Sequence, residues 1–168
     1  MTISRIARTL PARLGALTPG LKARPGLHYL LMSSPYESAT LIIRLYEMRR
    51  EPTMREARAW FAREFHPQTV DDLFQILGSP HSGHFRMVTS YWDMASSFVL
   101  NGAIDEKMFN DANGEHIFIF AKIELLVAEY RVKSGNPNYL KSLETLVLQK
   151  PGAREQMAAI RERFGPKR

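Results

Sequence analysis

Apolar residues in this chain recur at helical spacing in one segment after another, and no alternating apolar–polar run lasts long enough to predict a strand. Ser34-Pro35-Tyr36-Glu37 combines a cap residue, a proline at the first helical position and a glutamate at the third. A helix is therefore predicted from there through Leu41, Ile42, Leu45 and Met48, ending before Pro52. Thr53-Met54-Arg55-Glu56 repeats the start signal, with Ala57, Trp60, Phe61 and Phe65 as the apolar face and Pro67 as the stop. A third, short helix opens at Thr69-Val70-Asp71-Asp72 and ends at Gly78.

The stretch from His84 to Arg131 carries the strongest pattern. In its first helix Arg86, Ser90, Asp93 and Ser97 form a polar stripe of mostly small residues, opposite Met87, Tyr91, Met94, Ala95 and Phe98. So small a polar face allows a second helix to cover it. Gly102 ends this helix, and Asp105 caps a short one through Phe109. Glu115 to Arg131 is apolar nearly all round, which predicts a central helix buried on two sides. Gly135 stops it. Asn136-Pro137 starts a segment through Leu140, Leu143, Leu146 and Val147. Pro151-Gly152 leads into a charged helix with Met157, Ile160 and Phe164 on one face. The fold class is all-α, a bundle of six to eight helices. Residues 34–164 form a single domain, and residues 165–168 a frayed tail.

Composition adds the boundaries. A chain of 168 residues that is 45% apolar and 24% charged has the balance of one globular domain. The absence of cysteine excludes disulfides, thiolate metal sites and thiol nucleophiles. No apolar run approaches the roughly 20 residues of a spanning helix, and the expected location is the cytoplasm. The net charge of +6 sits almost wholly in one place: Arg5, Arg8, Arg13, Lys22 and Arg24 precede the first acidic residue, Glu37. Beyond Glu37 the two signs nearly balance.

Residues 1–33 therefore read as a basic extension. Ile3, Ile6, Ala7, Leu10, Leu14 and Leu17 have helical spacing, interrupted by Pro11, Pro19 and Pro25. The segment fits a basic arm for nucleic acid or anionic membrane, an organelle-targeting peptide, or a flexible extension ahead of an initiator at Met32. Composition favours the last.

Two blocks carry a family resemblance. Leu45-Tyr46-Glu47-Met48-Arg49-Arg50-Glu51 with Arg55-Glu56-Ala57-Arg58-Ala59-Trp60-Phe61 is the first. Tyr91-Trp92-Asp93-Met94-Ala95, Asn101-Gly102-Ala103-Ile104-Asp105 and Ala121-Lys122-Ile123-Glu124 form the second. From about Pro35 to Arg163 the chain resembles the domain-of-unknown-function family numbered 4760. The resemblance implies an all-helical bacterial protein and supplies no catalytic residue, cofactor or partner.

Candidate chemistry is sparse. His81 and His84, in a loop before a helix, have a metal-like spacing, and a zinc or iron site there needs a third ligand such as Glu115 or His116. Solvated loop histidines are the plainer reading. Arg86, Asp93, Lys122 and Glu124 fall in helices predicted to be buried, where charge must be paired or neutralised. They are expected to form a polar network, with Arg86 paired to Asp93 and Glu124 paired to a base on another helix. An acid–base set in a pocket is the functional alternative. No nucleophile elbow or phosphate loop is present, and the arginines of the first two helices are interleaved with glutamates. No catalytic residue and no cofactor is assigned.

The expected function is protein–protein interaction or self-association as a homodimer, since the core helices are too apolar all round for a small bundle to hide. Binding of nucleic acid or anionic membrane through residues 1–24 is the first alternative. Metal- or ligand-dependent activity around His81 and His84 is the second.

Overall fold

The computed structural model describes residues 33–165, and every regular element among them is a helix. In chain order these are α1 (Pro35–Arg50), α2 (Pro52–Arg63), α3 (Val70–Leu77), α4 (Ser82–Leu100), α5 (Glu106–Ala112), α6 (Glu115–Ala121), α7 (Glu124–Ser134), α8 (Lys141–Gln149) and α9 (Ala153–Phe164). The chain divides into Met1–Leu30 and Leu31–Arg168, and the described residues belong to the second unit. No described helix is long and apolar enough to cross a membrane.

The start signals at Ser34, Thr69 and Asp105 work as their chemistry requires. The one expected at Thr53 does not: α2 begins a residue earlier, at Pro52, with Glu51 at its N-cap and no side-chain cap hydrogen bond, because the proline itself supplies the helical φ. Ser34 and Glu37 form a reciprocal capping box at α1, and Thr69 and Asp72 form another at α3. Backbone and hydroxyl donors around Asp72 hold its carboxyl below the usual range. Asp105 caps α5 through the Met108 amide at 2.8 Å.

The helix with most neighbours is α4, which packs against α2 on one side and α8 on the other. Its buried stripe is Phe85, Val88, Thr89, Trp92, Ser96 and Val99, together with Tyr91 and Ala95. This corrects the apolar arc expected from the pattern: Met87 and Met94 are half-buried and Phe98 is exposed. The axis of the core lies one residue off the arc because α2 and α8 both close on it. Phe61, Phe65, Phe85, Trp92, Phe109 and Phe120 are fully buried. Burying each such ring contributes roughly 2–3 kcal/mol.

The single helix expected from Glu115 to Arg131 is two helices, and this is why nine elements are seen among the described residues where six to eight were expected. Neither Lys122 nor Ile123 is a helix breaker, so the cause is tertiary. Lys122 donates from Nζ to the carbonyls of Phe61 (2.8 Å) and Ala62 (3.1 Å) at the end of α2. Ile123 is fully buried, with its amide turned to Phe120 O at 3.0 Å. The break frees α6 to pack against α8 and α9 while α7 turns toward α3.

A second difference lies at α8, which begins at Lys141 rather than near Pro137. Leu140 has φ +51°, a left-handed conformation that costs an L-residue roughly 1–2 kcal/mol. Two contacts offset it. Leu140 is buried, and Arg131 clamps the preceding carbonyl, donating from Nε (2.9 Å) and Nη2 (2.7 Å) to Tyr139 O. Arg131 also pairs with Glu144 at 3.0 Å.

Candidate functional site

Only Ser38 and Leu45 of α1 are buried. The helix is tied down by polar contacts along that face. Ser38 Oγ accepts from the Asp105 amide at 3.0 Å, Tyr91 donates its hydroxyl to Leu45 O at 2.7 Å, and Arg49 reaches Asn113 and Glu115. Burial pushes the Tyr91 phenol up to about 12, so it remains a donor at any physiological pH.

A second face of α1, about a third of a turn away, carries Tyr36, Ala39, Ile43, Tyr46 and Arg50 at spacings of three, four, three and four residues. That is the a/d spacing of a coiled-coil seam. Tyr36 is 80% exposed, Ile43 58% and Tyr46 56%. Arg50 leans over the Tyr46 ring at 6.0 Å, so its charge lies on the stripe. Sequence reasoning placed this helix but missed the stripe. The signal was present as a second apolar row, distinct from the row of Leu41, Ile42, Leu45 and Met48 on which the helix was predicted.

Beside the end of α1 lies an apolar groove of about 500 Å³, lined by Met48, Met54, Met87, Met94 and Tyr91 and edged by Glu51. Methionine suits such a surface because its unbranched thioether repacks around different shapes. The outward turn of Met87 and Met94 from the α4 core creates this groove.

Under α1, Glu115 sits between two arginines. Arg58 grips it with Nε to Oε1 (2.7 Å) and Nη2 to Oε2 (2.6 Å), and Arg49 adds Nη2 to Oε2 at 2.8 Å. The hydrogen bonds to Glu115 raise the Arg58 pKa above its ordinary value. Arg49 also stacks over the Trp92 ring at 5.2 Å. The neighbouring His116 is buried against Trp92 and Phe109, and burial, with a smaller effect from Lys150, pushes its pKa down to about 4. It is therefore neutral at pH 7.

Of the residues expected to form a metal site, His81 and His84 lie with ring centroids 5.9 Å apart, and no third ligand joins them among the described residues. They stand at the N-cap and in the first turn of α4 rather than in a loop. His81 stacks on Trp60 at 4.9 Å with the rings nearly parallel, and His84 lies 6.0 Å from the same indole. Glu115 has both oxygens engaged by arginine, and no cluster of three potential metal ligands occurs among the described residues.

Of the expected polar network, the pairing of Glu124 with a base on another helix is found and the Arg86–Asp93 pair is not, among the described residues. Arg86 is exposed, and no ion pair joins it to Asp93 among the described residues. Asp93 instead accepts the Leu143 amide at 2.9 Å, satisfying the first turn of α8 from outside that helix. Glu124 pairs with Arg161 at 2.6 Å and Arg154 at 3.3 Å on α9. Lys122 belongs to a different cavity from Asp93. The four residues therefore do not make one acid–base set. The basic arm of Arg5, Arg8, Arg13, Lys22 and Arg24 lies outside the described residues.

The family model described as a domain of unknown function (DUF4760) matches residues 36–149. The chain belongs to this family. The match runs from α1 to α8, so it contains the exposed stripe, the methionine groove and the Glu115 cluster, and leaves α9 outside. No curated protein and no solved structure matches the chain.

Proposed function

We propose that this DUF4760 domain is a self-associating interaction module that pairs with a second copy, antiparallel, through α1. The exposed stripe carries the reading. A seam of Tyr36, Ala39, Ile43 and Tyr46, on a helix whose other face is anchored, is the surface that a facing helix needs. The chemistry along it has a direction, aromatic at Tyr36 and cationic at Arg50. Antiparallel pairing about Ile43 sets each Arg50 against the partner's Tyr36 end, where cation–π attraction replaces like-charge contact. It also opposes the two helix dipoles.

The interface is small. Sixteen residues of helix span about 24 Å, which places the pair among weak, reversible associations. Part of the surplus apolar surface lies on α1 rather than on the core helices, since α6 is covered by α8 and α9, although Leu125 of α7 is exposed as well.

The test is sedimentation velocity of the full chain across concentration, with Ile43→Glu beside it. The wild type is expected to approach twice the monomer mass at roughly 100 µM, above the micromolar range of small interfaces. The variant should remain monomeric with an unchanged melting temperature, because the site is exposed. A wild type that stays monomeric throughout overturns the proposal.

A further inference from the structure

The break between α6 and α7 leaves Lys122 in an unusual position for a lysine. Its Nζ is enclosed by the rings of Phe61, Phe65 and Phe118 at 5.6–5.9 Å. No carboxylate pairs with it among the described residues; its hydrogen bonds go to the Phe61 and Ala62 carbonyls. An ammonium has three donors, so one is uncommitted. The enclosure pushes its pKa down to about 8, through burial alone.

Lys122 lines a cavity of about 270 Å³ whose other walls include Phe65, Leu125, Leu126 and Phe164. Arg161 lines it too, with its charge already matched by Glu124 at 2.6 Å. The cavity thus sets apolar residues, with His66 and Gln68 at its wall, around a cation that has no carboxylate partner among the described residues. A cation drawn from water into such surroundings is stabilised by an anion beside it. Leu125, 72% exposed, stands at the opening.

We infer that this cavity binds a small monocarboxylate with an apolar body, its carboxylate on Lys122 Nζ and its chain against Phe65, Leu126 and Phe164. A phosphate fits less well: Lys122 offers one free N–H, Gln68 Nε2 is engaged by the His66 and Pro67 carbonyls and Arg161 by Glu124, too few free donors for its several acceptor oxygens. The site is independent of the α1 pairing surface and includes α9, which lies beyond the family match.

The experiment is an amide chemical-shift titration of the full chain with hexanoate, and separately with hexanamide, which matches its shape without the charge. Hexanoate should give saturable shifts at Lys122, Leu125 and Leu126, and hexanamide should not. Leu125→Glu sets a like charge at the opening and should weaken hexanoate binding roughly tenfold or more while leaving the fold intact. Lys122→Met should remove saturation; if it fails to fold, Leu125→Glu alone carries the comparison. Equal shifts from the amide, no saturation with hexanoate, or unchanged affinity in Leu125→Glu overturns the inference.

Discussion

Arg58 and Glu115 face each other fork to fork, with two parallel hydrogen bonds of 2.7 and 2.6 Å joining α2 to the start of α6. Arg49 on α1 adds a third bond to the same carboxylate. Three helices separated in sequence thus meet on one side chain, which is 18% exposed. Removing it strands two guanidinium groups in partly buried surroundings. Glu115→Ala is expected to lower unfolding free energy by about 3 kcal/mol, read from urea denaturation. Glu115→Gln, which retains one acceptor, should lose less. An alanine variant as stable as wild type would show that the arginines find water without cost.

The orientation of the proposed α1 pair can be read from Arg50 alone. In an antiparallel pair Arg50→Ala removes two contacts with Tyr36, each of about 0.5–1 kcal/mol, and should weaken self-association several-fold. In a parallel pair the same change would relieve repulsion between the two Arg50 side chains and tighten it. Concentration-dependent sedimentation distinguishes the two signs.

His116 makes stability depend on pH in a defined window. Its folded pKa, about 4, lies below the ordinary 6.5, so the unfolded chain binds the extra proton between those values. Stability from this residue is complete above pH 6.5 and is lost as pH falls toward 4, by on the order of 3 kcal/mol. His116→Leu should remove that part of the acid slope while carboxylate titration continues. Parallel acid profiles for the two proteins would refute the assignment.

Asp93 caps α8 across the core, through the Leu143 amide at 2.9 Å. Asp93→Ala should cost about 1 kcal/mol, the usual value of a lost cap, and accelerate hydrogen exchange at Leu143. Asp93→Asn keeps an acceptor and should lie between. Unchanged exchange at Leu143 would mean that water replaces the carboxylate fully.

The helices were legible in the sequence because their signals are local. Ser34, Thr69 and Asp105 cap what they were expected to cap, and Gly135 ends α7 in the left-handed conformation its lack of a side chain permits. Side-chain partners were legible far less. Asp93 was expected to meet Arg86 on its own helix, and instead meets an amide fifty residues on. Lys122 reads as a mid-helix residue until α2 brings its terminal carbonyls within reach.

By itself the sequence determined an all-helical class, most helix boundaries and the membership that residues 36–149 carry, since caps, prolines and a 3.6-residue period act over a few residues. Only the tertiary structure decided that Glu115–Arg131 is broken, that Leu140 is left-handed, and that α1 turns Ile43 outward rather than Leu45. Those outcomes depend on which carbonyl, arginine or ring arrives from a distant helix, and no short stretch of chain encodes its own neighbours.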